Sequence, residues 1–503
     1  MCQTMTESWS LPFKNEVTVS TEHIQTAQSA PPAGPQLSTR QVTGIIAALA
    51  LAAFMMILNE TVLTVALPGI MNDLQISAAT GQWLTTGFLL TLSVVIPTTG
   101  FLLQRFTHRS LFMFAIISFI IGTAVAALAP SFVLLLAARM VQALGTAIVL
   151  PLLMTTTLRL VPAQRRGTVM GLNSVVIGVG PAVGPTVSGA VVHAWGWHYI
   201  FAMMLPIAVL VLVLGVVFFK VPASAQKTRV DAASVLLSAV AFGLLVYGIS
   251  SIEHASQNPA MAIASFAIGA LSLVLFIRRQ RGLAREGREL LNLAPFASRN
   301  FRLAMILIMI AFGTLLGSLM VVPILLESGR GLDSLTIGLM LLPGGLAQAV
   351  ASPVFGRVYD RFGPRPVLIP GTAMLAGGQW LYVGVRADSP LWLFATAHVV
   401  FSIGFALLMT GLMSSAMASV DPRLFGHGSA IFNTGQQLGG AIGTTLFVTI
   451  LTLLSTAQEA SGTSAVQALF DGAHMAFLIG AVLASATVVL SLFIGRGTAP
   501  TGR

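Results

Sequence analysis

The sequence predicts an all-α polytopic membrane protein with 14 transmembrane helices, laid out as two six-helix repeats plus a central inserted pair. Composition, the spacing of apolar runs and the distribution of arginines carry this expectation. Of 503 residues, 55% are hydrophobic and only 8% are charged, whereas a water-exposed surface needs roughly a quarter of its residues charged. Lipid is therefore the solvent for most of the chain. One cysteine, Cys2, excludes an internal disulfide and a thiolate metal cluster. The formal charge of +10 is scattered between apolar runs instead of gathered on one face, which argues against nucleic acid as a partner.

Taken in order, residues 1–42 are polar and lack a signal-peptide core, so they are expected to form a flexible cytoplasmic tail. Apolar runs long enough to span a bilayer then fall near 43–69, 80–103, 110–129, 132–158, 167–193 and 198–219, giving an N-terminal six-helix half, 43–219. A linker, 220–299, holds a further pair near 231–251 and 260–277 and a basic loop. The C-terminal half, 300–495, has runs near 303–323, 334–355, 367–385, 390–418, 425–454 and 472–495, before a short cytoplasmic tail, 496–503. With the first tail inside, 23 of the 26 Lys and Arg residues fall in inside segments; Arg330 and Arg386 fall outside, and Arg139 lies within a span. An error in span number would scramble that alternation, so the positive-inside rule supports fourteen crossings with both ends cytoplasmic.

Near the inner end of the second span stands Gly100-Phe-Leu-Leu-Gln104-Arg105-Phe106-Thr-His-Arg109, and near the tenth stands Gly356-Arg-Val-Tyr-Asp360-Arg361-Phe362-Gly-Pro-Arg365. Gly, Arg, Phe and Arg recur at matching positions. Short inner loops attract arginine in any membrane protein, but not the shared Gly and Phe. Two repeated halves of this kind are a mark of alternating-access carriers, and these loops are the expected conformational gates.

The chain after residue 42 resembles the major facilitator superfamily, specifically its fourteen-span drug:proton antiporters. Gly356 to Arg365 is similar to that superfamily's inner-loop signature with its acid present as Asp360, whereas the first copy carries Gln104. Arg139-Met-Val-Gln142-Ala-Leu-Gly145 resembles the family's fourth-span pattern, with Ala143 in place of a glycine. Gly178-Val-Gly180-Pro181-Ala-Val-Gly184-Pro185-Thr-Val-Ser-Gly189 resembles the antiporter signature of the fifth span. Its glycines allow close helix approach and its prolines remove backbone hydrogen bonds, so the helix can bend. Leu58-Asn59-Glu60-Thr61 followed by Ala66-Leu67-Pro68 resembles the first-span signature, with Asn59 where an aspartate is usual and the carboxylate moved to Glu60, as in the lincomycin-efflux branch.

Glu60 and Arg139 are the two formally charged residues expected deep inside spans, where each needs a polar cavity or a partner. At 1.5 Å per residue, Glu60 lies roughly 12 Å and Arg139 roughly 10 Å below the outer face, so the two are expected to be level. They are the expected proton-coupling pair, with Asn59 as a hydrogen-bonding neighbour; a static ion pair fixing helix register is the competing reading. His398 is a second candidate proton carrier, or simply a hydrogen-bonded span histidine. Gln142, Asn173, Asn433, Gln436 and Gln437 are expected either to line a central substrate cavity or to bridge helices.

The resemblance thus implies proton-coupled efflux of small amphipathic drugs across the cytoplasmic membrane by a monomeric carrier, driven by the proton motive force without a cofactor or metal. A dedicated exporter of one endogenous metabolite or lipid precursor, or a proton-driven importer, shares every feature named so far. An ATP-driven pump is excluded because no lysine follows a phosphate-binding glycine loop. An enzyme is disfavoured because no metalloprotease motif, nucleophile elbow or paired intramembrane aspartates occur.

Overall fold

The computed structural model describes residues 38–219, 231–250, 259–286 and 288–495. Of the tails expected at 1–42 and 496–503, residues 1–37, with Lys14, and 496–503 lie outside the described residues, as do Lys220, Lys227 and Arg229, whereas Thr39 to Val42 are not tail but the start of a helix. Among the described residues there is no strand, and the α-helices run in the order α1 Thr39–Asp73, α2 Ala78–Val95, α3 Thr99–Arg105, α4 His108–Ala127, α5 Phe132–Leu160, α6 Arg166–Trp195, α7 His198–Phe218, α8 Ala232–Ser250, α9 Pro259–Leu283, α10 Arg299–Arg330, α11 Ser334–Phe362, α12 Arg365–Val383, α13 Leu391–Ala418, α14 Phe425–Ala460 and α15 Ala465–Ser491. Each expected apolar run has its helix. The second is divided into α2 and α3 by a 3-10 turn, Ile96–Thr98, where Pro97 has no N–H to continue the α-helical ladder.

Helix ends follow local chemistry. Ser77, Thr107, Ser298 and Ser464 each accept a backbone N–H in the first turn of the helix they precede, and Asp333 does the same for α11. Gly331, at φ 67° after α10, adopts the left-handed conformation that other residues avoid. The helices overrun the apolar runs by several residues because hydropathy marks what lipid covers, whereas the backbone ladder continues until a cap intervenes.

Twelve of the described helical segments are long and apolar enough to cross a membrane by length and composition. The helix α12, of 19 residues, is not among them; α6, of 30 residues, contains positions whose side chains lie outside the described residues. Glycines, prolines and polar side chains in α12 dilute its apolar signal.

The same packing scheme occurs twice. In the first set α1 packs on α5, α6 and α7, α4 on α5 and α7, and α2 on α5; in the second α10 packs on α13, α14 and α15, α12 on α13 and α15, and α11 on α13. The two sets meet where α6 lies along α11 and where α3 and α5 touch α14. The inserted hairpin adds to this frame from the side: α8 packs on both α2 and α14, and α9 packs on α8.

Candidate functional site

Two features of α5 and α6 build a buried polar network against α1 inside the first set. On α6, glycines bring α1 close: a Cβ on Gly180 would strike Ile57, and one on Gly184 would strike Thr61. Ser188 Oγ donates to the Val62 carbonyl at 2.8 Å, and Thr61 Oγ1 reaches the Gly180 carbonyl at 3.5 Å. The antiporter-like glycines therefore pack directly on the Asn59-Glu60-Thr61 turn of α1. Gly189 has open space beside it. The helix α6 runs unbroken through Gly178, Pro181 and Pro185, whose own surroundings lie outside the described residues.

On α5, Arg139 is fully buried. Its Nη1 donates to Gln142 Oε1 at 2.9 Å and to the Asn59 carbonyl at 3.5 Å, and its guanidinium lies 4.2 Å from the centre of the Phe88 ring. Gln142 Oε1 also accepts from Asn59 Nδ2 at 3.3 Å, while Gln142 Nε2 donates to Thr123 Oγ1 at 2.9 Å. One amide thus ties α1, α4 and α5 around a buried cation. The Arg139 Nε and Asn59 Oδ1 atoms are buried without a hydrogen-bond partner, so the network has spare capacity on both sides.

Glu60 is only partly buried. It interacts electrostatically with Arg139, yet the two make no ion pair within 4 Å; among the described residues such pairs are Arg279 with Asp231 and Arg288 with Glu286. The expected direct pair is therefore a separated one. Arg139 directs Nη1 to Gln142 and the α1 backbone and not to the carboxylate. A guanidinium so placed holds a nearby negative charge without fixing it in a bidentate lock.

The other candidates stand apart. His398 on α13 is buried, with Nδ1 3.2 Å from Tyr382 Oη and Nε2 3.5 Å from Ser402 Oγ, against Gly344 of α11. Asn173 donates to Thr157 Oγ1 at 3.1 Å, and Asn433 donates to the Ser429 carbonyl of its own helix at 2.8 Å. Gln436 is buried, whereas Gln437 helps line a narrow niche with Ser93, Phe242 and Thr434 between α2, α8 and α14. The five amides thus occupy separate settings, and Gln142 belongs to the arginine network.

The two loop motifs occupy corresponding places at the arginine-bearing end of the bundle. Asp360 caps the start of α6, accepting from Gly167 N at 2.6 Å and from Thr168 N and Oγ1 at 2.7 Å each. Gly356 and Gly167 lie backbone to backbone, so a Cβ on either would meet the other's chain. In the first copy Gly100 lies against His427, and Gln104 Nε2 stands 2.7 Å from His427 Nε2 at the start of α14. Thr155 Oγ, 3.0 Å from Ser429 Oγ, and Arg166, over the Phe425 ring, add contacts at the same end. Arg361 stacks on Phe362, and Arg109 and Arg365 are exposed. Sequence reasoning missed His427, Thr123, Gly167 and Thr168. For His427 the signal was Gln104, since an amide in place of an acid calls for a different partner; the others are paired by long-range packing alone.

A family model described as Major Facilitator Superfamily matches residues 49–444. Lincomycin resistance protein LmrB of Bacillus subtilis is 37% identical over 465 residues, covering 91% of this chain and 96% of that protein. The protein of the same name from Listeria monocytogenes is 36% identical over 457 residues, covering 90% and 96%. An uncharacterized MFS-type transporter of Bacillus subtilis, YcnB, is 35% identical over 456 residues, covering 91% and 96%. Among solved structures, the proton:xylose symporter XylE bound to 6-bromo-6-deoxy-D-glucose superposes with a TM-score of 0.62 at 15% identity, covering 92% of this chain and 98% of that one; the likeness concerns the fold.

Proposed function

The chain belongs to the Major Facilitator Superfamily, a family of transporters rather than enzymes, and from that premise we propose that it exports small amphipathic drugs across the cytoplasmic membrane by proton antiport. The likeness to the lincomycin resistance proteins, sustained over nearly the whole of both chains, carries the reading. On this reading the fourteen expected crossings include α6 and α12, with 43–219 and 300–495 as the two moving halves and both ends cytoplasmic.

The network around Arg139 supports a coupling mechanism. Glu60, deprotonated, is held by the field of Arg139 without being locked to it, so a proton arriving from outside cancels that attraction at the α1–α5 contact. Substrate arriving from the cytosol displaces the proton, and the cycle repeats. One charge crossing 100 mV supplies about 2.3 kcal/mol, close to fiftyfold in accumulation. One membrane carboxylate suits a neutral or singly cationic substrate.

The test is energised efflux of a lipophilic fluorescent cation and of lincomycin from cells expressing the protein, with and without a protonophore. Glu60→Gln at matched expression is expected to abolish efflux, as the protonophore does. Protonophore-sensitive efflux that survives the substitution removes Glu60 from the mechanism and directs attention to His398.

A further inference from the structure

Away from the arginine network, an apolar groove of about 370 Å³ runs along the flank of the first helix set, lined among others by Leu102, Phe106, Ser110, Phe114, Leu144 and Ile148. It sits beside the break at Pro97, between α2, α3, α4 and α5. Phe106 and Phe114 are exposed at 45% and 52%, so the groove faces the surroundings of the bundle. Its shallow end, Ser110, lies in the first turn of α4, and Ile148 is twelve residues from the end of α5, about 18 Å deep at 1.5 Å per residue. That depth is close to one leaflet of hydrocarbon, roughly 15 Å.

The shallow end is positively charged. Arg105 and Arg109 are the chain neighbours of Phe106 and Ser110, and the loop from Gln104 to Ser110 has no carboxylate because Gln104 stands where the second copy has Asp360. Neither arginine makes an ion pair within 4 Å among the described residues. A groove walled by carbon with one hydroxyl cannot orient a polar antibiotic, whereas it suits a hydrocarbon chain; two arginines next in the chain to its shallow-end residues, neither of them ion-paired, suit a phosphate. We propose that this groove is a binding site for an anionic phospholipid, with one acyl chain between α3, α4 and α5 and its phosphate held by Arg105 and Arg109. The site requires only that the chain be embedded in a membrane and is independent of what it transports.

The experiment replaces Phe114 with photoreactive p-benzoylphenylalanine and reconstitutes the full chain in phosphatidylcholine vesicles containing about one quarter phosphatidylglycerol, a composition in which anionic lipid is the minority. The same photoreactive group at Phe266, exposed on α9, reports bulk lipid and correct insertion. Adducts at position 114 are expected to be enriched in phosphatidylglycerol relative to position 266, by about fivefold for each arginine engaged. Arg105→Gln with Arg109→Gln is expected to return the ratio to the bulk value while adducts at 266 persist, and Leu144→Trp to lower adduct yield at 114 by filling the groove. Equal headgroup ratios at 114 and 266 in the otherwise unaltered chain, or an enrichment that survives loss of both arginines, overturns the proposal. Displacement of all adducts at 114 by lincomycin, whatever the headgroup, would make the groove a substrate path and overturn it equally.

Discussion

Gln142 shows how much one neutral amide can organise. It accepts from a buried guanidinium and from Asn59 and donates to Thr123, so replacing it with leucine leaves Arg139 buried with a single long bond to a carbonyl. Gln142→Leu is expected to destabilise the chain by about 2 kcal/mol, read as a lowered melting temperature in detergent, with a smaller effect from Asn59→Ala. Equal melting of Gln142→Leu and the parent protein would show that the amide does not support the arginine. The residue types at this site were legible in the sequence, because a charged or amide side chain in a span must have a partner. Which partners they take was not: Thr123 and Phe88 look like ordinary span residues until α4 and α2 fold against α5.

At the scale of helices, Asp360 on the start of α6 places a carboxylate on free N–H groups at the positive end of a helix dipole. Asp360→Asn is expected to weaken that contact by about 1–2 kcal/mol and shift the population toward separation of the arginine-bearing ends. Spin labels at Gln164→Cys and Arg423→Cys, both exposed, in a Cys2→Ser background would report a longer mean distance; an unchanged distribution would contradict the assignment. The inserted hairpin has its own clasp where the start of α8 meets the last turns of α9. Arg279 donates to Asp231 through Nε and Nη2 at 2.7 and 2.9 Å, and these hydrogen bonds hold the carboxyl well below the usual carboxylate range. Because the folded-state value is depressed, the clasp is in place above the unfolded value near 3.9 and is lost only as pH falls below it. Asp231→Asn should therefore speed hydrogen exchange in the first turn of α8 at neutral pH, and the difference from the parent should vanish in strong acid. A difference that persists there would exclude the carboxylate as its cause.

Across the whole molecule, the sequence indicated the order of helices, the sidedness of arginine and the internal repetition, because each follows from one-dimensional patterns of hydropathy and charge. The doubled packing scheme agrees with the recurrence of Gly100 to Arg109 as Gly356 to Arg365. Packing between the sets was invisible: nothing in the chain links Asp360 to Gly167, and Gln104 calls for a different partner without pointing to His427, until the helices are placed. The apolar signal also fell short at α12, where small and polar residues such as Gly371, Gly378 and Gln379 serve packing. The place of the inserted pair, with α8 against both α2 and α14, likewise depends on the surface it covers and not on its own pattern.

The two copies of the loop motif have diverged into unequal fastenings. One side of the arginine-bearing end is secured by a carboxylate on three donors, the other by a single amide against an imidazole. A pair of matched fastenings would let the two leaves part together. If the proposed carrier alternates access, the amide side is expected to yield first with the carboxylate side as the pivot, so that the mouth would peel open from α3 and α14 toward α6 and α11 and present a wedge-shaped passage before a parallel one.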